Sequence, residues 1–109
     1  MEPASRPLRS KLSEFLTRYR PALVILSGQA RGLEFRLDQP RTALGRGPGV
    51  DLALDDASLE TRHAWVEFHG GGFVLRSAAT DGSPAFELKD GDRFLLGTLE
   101  LQYTLAARD

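Results

Sequence analysis

Thr42-Ala43-Leu44-Gly45-Arg46-Gly47-Pro48-Gly49-Val50-Asp51-Leu52-Ala53-Leu54-Asp55-Asp56-Ala57-Ser58-Leu59-Glu60-Thr61-Arg62-His63-Ala64 is the stretch on which the fold turns. It reads as a strand ending in Gly45-Arg46, a glycine-rich loop, a short strand over Asp51-Leu52-Ala53-Leu54, and a loop closing on His63-Ala64. The glycines do not make a nucleotide loop, because no Gly-Lys-Ser/Thr ending and no helix follow them.

Outward from this stretch the chain keeps the same grammar. Ala22–Ser27 reads as a strand followed by a Gly28–Gly32 turn, and Leu33, Phe35 and Leu37 alternate with Glu34, Arg36 and Asp38. Arg41–Leu44 follows Pro40. Ala64, Val66 and Phe68 alternate with Trp65, Glu67 and His69, and Gly70-Gly71-Gly72 turns the chain into Phe73–Arg76. Strands over 86–88, 93–96 and 99–105 complete the series. Many short strands separated by Gly, Pro and Asp turns predict an all-β sandwich of two antiparallel sheets, with about 10–11 strands.

Residues 1–20 differ from the rest. Leu8, Leu12, Phe15, Leu16 and Tyr19 recur on one face of a helix, with Ser5 or Ser10 as cap and Pro21 as stop. This segment holds five Lys/Arg against two Asp/Glu, whereas residues 21–109 hold nine against thirteen, giving +3 and −4. The expected organisation is a basic amphipathic helix over 1–20 and a sandwich domain over 21–109.

The 109 residues suit one domain. The absence of cysteine excludes disulfides and thiolate chemistry. A net charge of −1 gives no footprint for nucleic acid. No apolar run approaches the roughly 20 residues of a membrane span, and Met1–Arg6 lacks the apolar centre of a secretory signal. A cytoplasmic protein is the expectation. Two separated histidines predict no metal site and no cofactor. No set of nucleophile, base and orienting group can be assembled, so no enzyme is expected.

Four motifs in order resemble the forkhead-associated (FHA) family, small β-sandwich modules that bind phosphothreonine peptides. They are Leu44-Gly45-Arg46, the Asp51–Leu54 strand, Leu59–Ala64 against the family's Ser-x-x-His-Ala, and Leu88–Gly97 with its Gly91-Asp92. The resemblance covers roughly residues 22–106. It implies that Arg46 is the phosphate-binding arginine, a role its planar fork of donors suits. It also implies that Gly45, His63, Gly91 and Asp92 are structural, with His63 bracing the loop through its ring.

The chain departs from the family at two site positions. Glu60 stands where the family's phosphate-binding Ser is, beside Thr61, and Asp81-Gly82 stands where the peptide-binding Asn-Gly is. Two unit charges about 4 Å apart repel by about 1 kcal/mol in water and about 4 kcal/mol at an effective dielectric of about 20. A micromolar contact is worth only about 8 kcal/mol. An ionised Asp also lacks the donor of Asn. The reading favoured is therefore a non-enzymatic signalling or scaffolding module that binds another protein independently of phosphorylation. One alternative is a working phosphothreonine reader using Arg46 with Ser58 or Thr61 as substitute hydroxyl. Another is a structural subunit that docks, or self-associates, through Trp65 and the helix face of Leu12, Phe15, Leu16 and Tyr19. Nucleic acid and membrane are not the expected partners.

Overall fold

A computed structural model describes residues 7–77 and 85–108. The elements are one helix, α1 (Pro7–Arg18), and nine strands. The strands are β1 (Tyr19–Ile25), β2 (Glu34–Arg36), β3 (Arg41–Gly45), β4 (Leu52–Ala53), β5 (Ala64–His69), β6 (Gly72–Ser77), β7 (Phe86–Glu87), β8 (Arg93–Leu96) and β9 (Leu99–Ala107). They form a four-stranded sheet in the order β2-β1-β9-β8 and a five-stranded sheet in the order β4-β3-β5-β6-β7. The pairs are antiparallel except β3–β4, which runs parallel through Leu44↔Leu52 and Gly45↔Ala53. The result is the expected two-sheet sandwich, with one helix and nine strands among the described residues where about 10–11 strands were expected.

Alternation along each strand builds the core. Ala64, Val66 and Phe68 of β5 point inward, as do Leu99, Leu101 and Tyr103 of β9, and all are buried. Burial pushes the Tyr103 phenol above the usual tyrosine range, and Asp90 adds to the shift. On the outer face of the five-stranded sheet, Glu67 pairs with Arg41 at 3.6 Å and with Arg76.

The helix ends at Arg18, two residues earlier than Pro21 suggests. Strand β1 starts at Tyr19 and runs through the proline, which pairs with Leu105 in the ladder to β9. The Pro21 carbonyl accepts from Leu37 N at 3.0 Å, on the side of β2. A residue's N–H and C=O share one side of a strand, so the missing donor faces the stretch beyond the end of β2 and disrupts no bond to β9.

Helix α1 closes the end of the sandwich where β5 finishes. Leu12 is 3% exposed and belongs to the core. Phe15 meets Phe68 edge-on at 5.2 Å and Phe73 at 5.8 Å, and lies 4.9 Å from Tyr19. Phe73 continues to Tyr103 of the other sheet at 6.3 Å. An aromatic row thus ties helix to both sheets, each pair adding about 0.5–1.5 kcal/mol beyond its buried area. Leu16 is half-buried. The apolar side of the helix is therefore docked on its own domain. The side chain of Leu8 lies outside the described residues.

Candidate functional site

The loops after β3 and β4 meet at the opposite end, where β5 begins. Gly45 lies so close to the Thr61 carbonyl that a Cβ there would overlap its oxygen. That approach lets two backbone segments zip together: Arg46 N donates to Glu60 O at 3.0 Å, Gly47 N to Thr61 O at 3.2 Å and His63 N to Leu44 O at 2.9 Å. Asp51 secures the return of the glycine-rich loop, its carboxylate accepting from Ala43 N at 2.7 Å.

His63 holds the second loop from within. Its Nδ1 accepts from Glu60 N at 3.1 Å, which places the ring proton on Nε2 in the neutral imidazole. Half-buried, the ring fixes the backbone that carries Glu60. The side chains of Glu60, Thr61 and Arg62 are all exposed.

Ser58 is engaged elsewhere. Its hydroxyl donates to Asp56 Oδ2 and accepts from Thr98 N at 2.9 Å, and its own N donates to Asp56 Oδ2 at 3.0 Å. The loop is thereby fastened to the β8–β9 turn of the opposite sheet. The Ser58 hydroxyl, followed by the Ser58 backbone, holds the Asp56 carboxyl below the usual carboxylate range, with Arg46 contributing. The sequence carried a partial signal for this, since Asp followed two residues later by Ser is an Asx-turn spacing. The partnership with Thr98, forty positions away, carried none.

Arg46 projects from this loop pair, half-exposed, with Nε 3.7 Å from Asp55 Oδ1. No Arg46–Glu60 ion pair occurs among the described residues. The site therefore gathers the Arg46 guanidinium with Asp55, Asp56 and Glu60, and a second arginine, Arg62, is exposed on the same loop. Asp55 and Asp56 were not singled out in the sequence. Asp81 and Gly82 lie outside the described residues.

The other residues expected to matter are elsewhere. Gly91, with φ of +92°, takes the third position of a turn closed by Asp92 N donating to Lys89 O at 2.9 Å. The Asp92 carboxylate accepts from Lys89 N at 2.8 Å, and Gly91 N donates to Tyr103 O. Trp65 lies on the outer face of the five-stranded sheet, half-buried, with the Arg41 guanidinium 4.2 Å from its ring centroid. Its Nε1 is buried without a partner among the described residues. The described residues contain no group of three or more His, Asp or Glu placed to hold a metal.

Two sheets in this order, a glycine-arginine corner on β3 and a histidine-braced loop before β5 define an FHA-type interaction fold. The FHA domain of CT664 from Chlamydia trachomatis superposes with a TM-score of 0.68 at 21% identity, covering 78% of this chain and 96% of that one. Residues 24–106 match the family described as the cytoplasmic domain of the inner membrane component of T3SS, Yop-YscD_cpl, and the chain belongs to that FHA-type family. The glycogen accumulation regulator GarA of Mycolicibacterium smegmatis is 45% identical over 89 residues, which is 74% of this chain and 56% of that protein. The oxoglutarate dehydrogenase inhibitor of Corynebacterium glutamicum is 43% identical over 89 residues, 74% of this chain and 62% of that protein. The chain thus spans about three-fifths of the length of these two curated relatives.

Proposed function

We propose that the chain is a non-enzymatic FHA-type module that recognises a partner protein without needing its phosphorylation. The observation that carries this is Glu60. Its carboxylate is exposed on the loop where the family's phosphate-binding hydroxyl belongs, and Asp55 already pairs with Arg46. A phosphate dianion approaching Arg46 meets Glu60, Asp55 and Asp56, and must displace the existing ion pair. Asp81, in place of Asn, adds a further anion to the peptide-reading segment by sequence.

The names of the relatives, a regulator and an inhibitor, support regulation by protein contact rather than catalysis. The family's description as a cytoplasmic domain supports the same location here, and no described helix is long and apolar enough to cross a membrane. Docking through the helix and Trp65 has less support, because Leu12 and Phe15 are used in this chain's own core and Arg41 covers the indole.

A second reading keeps phosphate recognition. Thr61 is exposed beside Arg46, the two backbones being joined through Gly47 and Thr61, so its hydroxyl is the available substitute. Ser58 is less suited, its hydroxyl being held by Asp56 and Thr98.

One experiment separates the readings: binding of a degenerate phosphothreonine peptide library to the natural chain and to Glu60→Ser/Asp81→Asn. We expect no binding by the natural chain and gain of binding by the double variant. Tight binding by the natural chain that phosphatase treatment abolishes, and that Arg46→Ala removes, overturns the proposal in favour of the second reading.

A further inference from the structure

Four arginines of the sandwich are held by carboxylates: Arg41 and Arg76 by Glu67, Arg46 by Asp55, and Arg93 by Glu100. Arg18, Arg20, Arg31, Arg36, Arg62 and Arg108 have no such partner among the described residues, and of these Arg20, Arg36 and Arg108 line one surface. All three are exposed, and none makes an ion pair or a side-chain hydrogen bond among the described residues. This is so although Glu34 and Asp38 line the same surface.

The ladders place these arginines together. Arg36 stands opposite Ala22, Ala22 opposite Thr104, and Arg20 opposite Ala106. Opposed residues share a face, as do residues two apart, so Arg20 and Arg36 rise from the outer face of the four-stranded sheet. Small residues surround them: Ala22, Thr104 and Ala106 line a depression of about 130 Å3 between the two guanidiniums. A second depression of about the same volume starts at Arg20 and Arg36 and reaches Arg108. Arg108 extends the β9 ladder, its N donating to Arg18 O at 2.8 Å.

We infer that this outer face docks an extended acidic segment of a partner protein, with carboxylates at every second position meeting Arg20 and Arg36. Spacing supports the match. Same-face side chains of an extended chain repeat at about 6.6–6.8 Å. Diagonal neighbours on adjacent strands, as Arg20 and Arg36 are, stand about 7–8 Å apart. The guanidinium fork takes a carboxylate through two parallel hydrogen bonds. A bilayer fits less well. The exposed large apolar residues, Leu33, Phe86 and Leu95, line neither depression, so the face offers nothing to insert among lipid chains. The face is separate from the loops around Arg46, so its failure leaves the preceding proposal standing.

The test uses the full chain and a fluorescein-labelled Gly-Glu-Ser-Glu-Ser-Glu-Gly peptide, read by anisotropy at low ionic strength, with a Gln-for-Glu peptide as control. The acidic peptide binds and the Gln peptide does not. Arg20→Ala/Arg36→Ala weakens binding at least about tenfold, while Arg31→Ala, at an exposed arginine between β1 and β2, leaves it unchanged. Should the double variant fail to fold, Arg20→Gln and Arg36→Gln taken singly give the same comparison. Equal binding by the variants and the natural chain overturns the inference, as does no binding of the acidic peptide. It is also overturned if the chain ignores the peptide but sediments with vesicles of equal parts phosphatidylserine and phosphatidylcholine.

Discussion

Gly45 has no room for a methyl group, because the Thr61 carbonyl occupies that space. Gly45→Ala therefore pushes the two loops apart and costs about 1–3 kcal/mol, read as a lower denaturant midpoint at unchanged slope. His63→Ala strands the Glu60 N–H and costs about 1–2 kcal/mol by the same measurement. Trp65 gives the contrasting case. Its buried Nε1 has no partner among the described residues, so Trp65→Phe changes stability by less than about 1 kcal/mol, whereas Trp65→Ala loses the ring under Arg41 and costs more. Asp56 sets a dependence on acid. Its carboxyl is held below the ordinary value, so its hold on Ser58 is complete above the usual carboxylate range and is lost as pH falls through the lowered folded value. The Ser58 amide should then lose exchange protection in strong acid, and Asp56→Asn should remove that dependence. At this scale the motif residues Gly45 and His63 were legible in the sequence, since a fixed spacing names them. Ser58 was legible only as a nearby hydroxyl, because what decides its role is Thr98 in the other sheet.

At the scale of elements, the helix is where the sequence left the most open. Its apolar face was plain in the spacing of Leu12, Phe15 and Leu16, but an amphipathic face does not say what covers it. The structure answers with Phe68, which alternation along its strand had already marked, and with Phe73, which the sequence had placed only at the start of the next strand. Leu12→Ala should cost about 2–5 kcal/mol and lower the melting temperature by several degrees per kcal/mol, as followed by circular dichroism. Pro21 misled for a physical reason: it stops helices, yet here it sits inside a strand whose ladder to β9 runs through it. The parallel pairing of β4 with β3 was hidden as well, because alternation marks a strand without stating the direction of its neighbour.

Over the whole molecule, the order of strands with their turn signals was enough to predict two sheets, and the four family motifs identified which two-sheet fold. The sequence could not show that the 54–63 loop is fastened to both sheets. Gly45–Gly47 hold it from the five-stranded side, and Thr98 holds it through Ser58 from the four-stranded side. Ser58→Ala should therefore speed amide exchange at Thr98 as well as within the loop, a remote response that a surface hydroxyl would not give. This double fastening limits how recognition can be altered. Changes at Gly45, Ser58 or His63 alter the seam of the sandwich along with whatever the surface reads. Glu60 and Thr61 hold the loop through their backbones, and they and the next residue, Arg62, leave their side chains in water. They are three adjacent positions where a new specificity can be written while the scaffold beneath them stays as it is.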